Sequence, residues 1–227
     1  MDPAPVQGLA PYLPAHLPRS RPRWWAAAGH AAAECLRIER LTEQEERPRV
    51  DAPLCGLAAP CSLPRAFREF LGERKTDATV ARMLAEARAF AMQAQRGKRH
   101  PRRDAHESVS VLDRTRLPLY CAAAPLVRRD RDQGRIFEVD PCSLLARLEL
   151  PAQGLAGSRR EAVARRVRIL QALQEGVLGF PVDLRERDYA VASRPALDAV
   201  LAAGMAAWVH VNETKPPHSM ETWIPLP

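Results

Sequence analysis

The sequence predicts a mixed α/β domain, on three observations. Strand-like alternation of apolar and polar residues comes early, as in Leu36-Arg-Ile-Glu-Arg-Leu41. Apolar residues at helical spacing dominate later, over Asp77–Gln93 and again from Ser158 to Leu173. A compact apolar strand, Ile136-Phe-Glu-Val139, lies between those helices, so β and α segments are interleaved. That order is expected of a mixed sheet flanked by helices.

Each element has its own reason. Residues 1–23 hold six prolines (Pro3, Pro5, Pro11, Pro14, Pro18 and Pro22) and show little periodicity, so they read as a poorly ordered or extended lead-in. The folded domain is expected over 24–227. The pattern improves from Trp24, and Val50-Asp-Ala-Pro-Leu54 makes a short extended piece, kept out of helix by its prolines. Ser62 can cap a short helix with Pro64 in its first turn and Gly72 at its end. Val80, Met83, Leu84, Ala87, Phe90 and Ala91 then share one face of an amphipathic helix. A strand is expected over 109–112 and another over 136–139. Asp140-Pro141 caps a helix that buries Leu144, Leu145 and Leu148. Ser158-Arg-Arg-Glu161 is a capping box for a helix with Val163, Val167, Leu170 and Leu173 inside. Ser193 starts the last helix, over 194–210, and 223–226 is strand-like.

Composition excludes several classes. Hydrophobic residues are 46% and charged residues 27% of 227, ordinary for a globular chain and unlike a disordered tail. No apolar run approaches the ~18–20 residues of a membrane helix, so no membrane association is expected. Met1-Asp-Pro-Ala-Pro5 lacks the basic and apolar regions of a secretory signal. Five cysteines are an odd number, and the spacing of Cys55 and Cys61 fits no common zinc pattern. The expectation is a cytoplasmic protein with reduced thiols.

The net charge of +7 is concentrated. Residues 96–135 carry eleven Lys and Arg against five acids, a net +6, so the rest of the chain is nearly neutral. Arg96, Lys98, Arg99, Arg102 and Arg103 crowd into eight positions that Gly97 and Pro101 keep out of regular helix. An arginine fork can grip a phosphate bidentately, so these five are candidate nucleic-acid contacts. A solvated run in an Arg-rich chain is the competing reading, since 31 of the 34 cations are Arg.

Three acids stand in unusual company. Asp198 is the one charge in the apolar stretch Pro195–Trp208 and shares a helical face with Leu201, Ala202 and Met205. Such a carboxylate needs a partner or a metal, unless its place in the first turn suits the helix dipole. Glu138 interrupts an apolar strand, and Asp51 ends an extended piece; an edge-strand face and a turn would account for them separately. Together they resemble the carboxylates of a phosphoryl-transfer site, where hard oxygen ligands hold Mg²⁺ or Mn²⁺.

Five blocks, in order, resemble a bacterial and archaeal family of predicted nucleases with a ribonuclease-H-like fold. Trp24–Leu41 is similar to that family's second and third strands. Val50-Asp-Ala-Pro-Leu54 with Leu63-Pro-Arg-Ala-Phe67 is similar to its acidic strand end, with Cys55–Cys61 inserted. Arg102-Arg-Asp104 through Leu119-Tyr120, then Phe137-Glu-Val-Asp-Pro141 and Ala196-Leu-Asp-Ala-Val200, resemble its remaining motifs. The resemblance implies a ribonuclease-H-like mixed sheet flanked by helices. It implies Asp51, Glu138 and Asp198 as catalytic metal ligands for Mg²⁺ or Mn²⁺, and phosphodiester hydrolysis as the reaction. Family members open with a central strand carrying Gly-x-Asp, which residues 1–23 lack, so the first strand is expected to be missing or altered and the activity impaired. The alternative is a non-catalytic protein that binds nucleic acid or an acidic partner through 96–135.

Overall fold

The computed structural model describes residues 3–12, 14, 22–46, 48–59 and 136–214. The helices expected over 62–72 and 77–93 and the strands expected over 109–112 and 223–226 lie outside the described residues. Among the described ones, β1 (Ala4–Tyr12), β2 (Arg23–Ala32) and β3 (Cys35–Gln44) form an antiparallel meander. Strand β4 (Leu54–Leu57) pairs parallel to β1, and β5 (Ile136–Glu138) pairs parallel to β4. Strand β6 (Val182–Leu184) pairs parallel to β3, so the sheet runs β5-β4-β1-β2-β3-β6. The helices are α1 (Pro141–Arg147), α2 (Arg160–Gln174), α3 (Arg187–Ala192) and α4 (Arg194–Val211). A mixed α/β architecture is therefore present.

The expected lead-in is corrected over residues 4–12. They form a strand inside the sheet, between β2 and β4, and the chain does not lack its first strand. Prolines are tolerated there for a reason of direction. Leu9 turns its carbonyl toward β4 and accepts from the Ala58 amide at 2.7 Å, so odd-numbered residues of β1 point their backbone groups that way. Pro5 and Pro11 are missing an amide only on that side, beyond the Val6–Leu9 span that β4 pairs. The ladder to β2 loses nothing.

Alternation divides the sheet into two faces. Val6, Ala10, Trp25, Ala27, Ile38, Phe137 and Val139 join the main core with α4. Leu9, Trp24, Ala26, Cys55 and Leu57 form a second buried cluster on the other face. Helix α4 sits unusually close to its face because both surfaces are small. A Cβ on Gly8 would lie 2.1 Å from the Ala199 carbonyl oxygen, and one on Gly56 would lie 2.1 Å from that of Ala202. Glycine on the sheet meets alanine on the helix, backbone nearly to backbone.

Other boundaries shift for local reasons. The extended piece at 50–54 does not pair: Gln7 donates to the Arg49 carbonyl at 3.0 Å and accepts from the Asp51 amide at 3.3 Å, so a side chain holds that segment and the ladder begins at Leu54. Asp140 does cap α1, accepting from the Cys142 amide at 3.2 Å. Ser158 makes no capping box, because α2 begins at Arg160 with Arg159 at the cap and no side-chain bond. The buried face of α2 is also rotated from the expected one, leaving Val163 and Val167 half-buried and Arg166 fully buried. Ser193 caps α4 as expected, accepting from the Ala196 amide. No helix among the described residues is long and apolar enough to cross a membrane.

Candidate functional site

The three acids expected to gather at a metal are held apart. Asp51 is exposed and precedes β4, at the end of the sheet where Val6 lies opposite Leu54. Glu138 closes β5 opposite Leu57, at the other end of β4, about 10 Å away along the strand. It alternates with Phe137 and Val139, which face α4, so its carboxylate turns to the opposite face with Leu57. There it is 3% exposed and engaged rather than free. Asp198 lies on α4, on the other side of the sheet from Glu138.

The structure does not bring the three acids together: strand end separates Asp51 from the other two, and strand alternation separates Glu138 from Asp198. Among the described residues no group of three or more His, Cys, Asp or Glu side chains could hold a metal ion. Arg96, Lys98, Arg99, Arg102 and Arg103 lie outside the described residues.

What does converge is a smaller group where α1 and α4 begin. The Arg194 Nε stands 3.1 Å from both Oδ1 and Oδ2 of Asp198, one helical turn away. The Nη2 of Arg194 donates to the Cys142 Sγ at 3.3 Å. Asp140 accepts from Ser143 Oγ through its second oxygen, which fixes the start of α1 beside this group. The Asp198 side chain is 18% exposed.

Burial pushes the Asp198 carboxyl above the usual carboxylate range. The Arg194 guanidinium offsets part of this, while the charge of Asp140 adds to it. Burial pulls Arg194 down, but Asp198 and Cys142 outweigh it, and the guanidinium ends above its ordinary value. Folded Asp198 holds its proton more tightly than the unfolded chain does. Its contribution to stability is therefore lost as pH rises from the ordinary carboxylate range through the raised value.

The sequence held one legible sign of this pair. Reading the apolar helix from Pro195 leaves Asp198 alone, whereas counting from the capping serine brings in Arg194 at the i−4 position. Arg166 had no comparable sign. It is fully buried, with no carboxylate partner among the described residues. Its Nε donates to the Val191 carbonyl at 2.6 Å, Nη1 to those of Leu155 and Gly157 (3.0 Å for Gly157), and Nη2 to that of Ala192 at 3.3 Å. Burial, and then the nearby charge of Arg194, lower its pKa. Arg166 thus ties the loop before α2 to the end of α3, and its role is structural.

Set beside known protein families, curated proteins and solved structures, the chain matches none of them, and its own geometry is left to carry the functional reading.

Proposed function

We propose that this chain is a ribonuclease-H-like domain that binds nucleic acid through its basic segment without hydrolysing it. The strand order supports the fold half of this reading. The first strand is central, with the second and third strands following antiparallel beside it, which is the arrangement the resemblance implies. Strand β1 also carries a Gly-x-small step, Gly8-Leu9-Ala10, with Ala10 buried on the α4 face where an Asp would complete the family's motif.

The observation that carries the non-hydrolytic half is the Arg194–Asp198 pair. A guanidinium at 3.1 Å from both carboxylate oxygens is itself the counter-ion that a metal would otherwise supply. The binding half rests on the net +6 of residues 96–135, since cations that neutralise phosphates release condensed counter-ions. Mg²⁺- or Mn²⁺-dependent hydrolysis is the second reading. Asp140 favours it, because its charge is felt at Asp198 and two acids therefore sit near one end of the sheet.

The test uses the full chain with labelled single- and double-stranded DNA and RNA. Anisotropy is followed between about 50 and 200 mM salt, with cleavage measured in parallel in Mg²⁺ and Mn²⁺. Binding whose logarithm falls linearly with log salt, weakened by Arg102→Gln and Arg103→Gln and accompanied by no turnover, supports the proposal. Metal-dependent cleavage abolished by Asp198→Asn transfers the assignment to the hydrolytic reading. Absence of binding at the lowest salt removes the binding half.

A further inference from the structure

The outer face of the sheet, away from α4, turns polar over β2, β3 and β6, and a β-bulge explains how. Ile38 and Leu41 both point into the main core, while the two residues between them, Glu39 and Arg40, are both exposed. The register jumps at the same place, with Ala28 opposite Arg40 and Gly29 opposite Ile38, so Glu39 is the extra residue. Without the bulge, consecutive side chains would point to opposite faces.

The element after β6 is fastened across this bulge. The Arg185 amide donates to the Ile38 carbonyl at 3.3 Å, and a Glu186 carboxylate oxygen accepts from the Leu41 amide at 2.6 Å. Arg185 is thereby held beside the strand that carries Arg40. Both arginines line one cavity of about 460 Å³, with Ala28 and Gly29 among its lining residues and His30, Glu39 and Asp51 contributing polar groups. A second cavity of about 500 Å³ adjoins it through the shared residues Glu39 and Arg185.

The charges here are unequally satisfied. Arg37 pairs with Asp183 at 3.5 Å, and His30 Nδ1 lies 3.7 Å from Glu39. Arg40 and Arg185 have no ion-pair partner among the described residues. Two guanidinium forks without ion-pair partners among the described residues, one on β3 and one on the segment fastened to it after β6, line one cavity of ligand size and suit an oxyanion that can accept from both.

We infer that Arg40 and Arg185 form a binding site for the oxyanion group of a small molecule, with a phosphate monoester preferred over a carboxylate. A phosphate monoester presents three terminal oxygens and up to two negative charges to two forks, whereas a carboxylate presents two oxygens and one charge. None of the residues named for this site belongs to the basic segment 96–135, so it is tested apart from nucleic-acid binding.

Calorimetric titration of the full chain in low-salt buffer tests it, with inorganic phosphate in one arm and acetate in the other. Saturable phosphate binding is expected, weakened roughly tenfold or more in the Arg40→Gln/Arg185→Gln double variant. Arg37→Gln, whose side chain is already paired, and Arg102→Gln/Arg103→Gln should leave it within about twofold. Both substituted arginines are exposed, so thermal melts of the double variant are expected to overlay the parent. No saturation by phosphate, or equal binding by the double variant, would overturn the site. Acetate binding as tight as phosphate would overturn the phosphate preference.

Discussion

Replacing Arg166 by Met keeps most of the aliphatic stem and removes the guanidinium, and the structure says what that should do. Four backbone carbonyls, those of Leu155, Gly157, Val191 and Ala192, lose their donor at once. A buried acceptor left unmet costs about 1–3 kcal/mol. Relief of the desolvation penalty on the arginine offsets part of this, and water reaching the outermost carbonyls offsets more. A net loss of about 3–5 kcal/mol follows from four acceptors so offset. Against a total of about 5–15 kcal/mol that is a large fraction. With a urea slope of about 2–3 kcal/mol/M, the midpoint should fall by roughly 1–2 M.

Arg166→Lys discriminates between charge and geometry. An ammonium keeps the charge but cannot fork toward acceptors on both sides, so it should recover less than half of the loss. Urea melts followed by circular dichroism measure both variants, and hydrogen exchange should quicken first at 155–157 and 191–192. A midpoint shift under about 0.4 M for Arg166→Met, about 1 kcal/mol on the same slope, would refute the reasoning.

Two further outcomes are expected. Gly8→Ala places a methyl 2.1 Å from the Ala199 carbonyl oxygen and must push α4 off the sheet; a loss of about 1–3 kcal/mol is expected from overpacking, and an unchanged urea midpoint would contradict the close seating. Tyr12 donates to Glu43 and is pushed up to about 12, chiefly by burial and then by the Glu43 carboxylate. Its stabilising contribution is complete below the ordinary tyrosine value of 10.0 and is lost as pH rises toward the shifted one. Near-ultraviolet titration of the three tyrosines should show a late step that disappears in Tyr12→Phe, and three coincident steps would contradict it.

The parts of the fold that could be read from sequence are those with enough residues to show a period. Strand β3 announces itself through Leu36, Ile38 and Leu41, and α4 through its apolar run behind Ser193. Strand β6 has three residues and α3 has six, too few for either period to emerge. Strand β1 was masked by its prolines, because sequence alone does not say to which side a missing amide would have pointed. The acids misled for a related reason. Each is unusual in its local context, yet convergence depends on which end of a strand and which face a residue occupies, and a one-residue change in either reverses the answer. Asp198 needed Arg194, inside the expected helix but outside the apolar run, to be counted as its neighbour one turn earlier. The bulge that turns Glu39 and Arg40 outward together is marked in sequence only by two successive polar residues between Ile38 and Leu41, a single break in the alternation.

The seating of α4 on Gly8 and Gly56 has a consequence in time. The central strand leaves the ribosome before the other described elements, and the helix that covers it leaves after them. At ordinary elongation rates the chain between Gly8 and Ala199 takes roughly 10–40 s to make. For that interval Val6 and Ala10 have no helix above them, although β2 and β4 are made early enough to pair with the strand edges well before it ends. Contacts this distant along the chain also slow the search once synthesis is complete. The interface that fits most tightly in the finished protein is thus the last to close, and until then the nascent chain leaves the α4 face of its central strand uncovered.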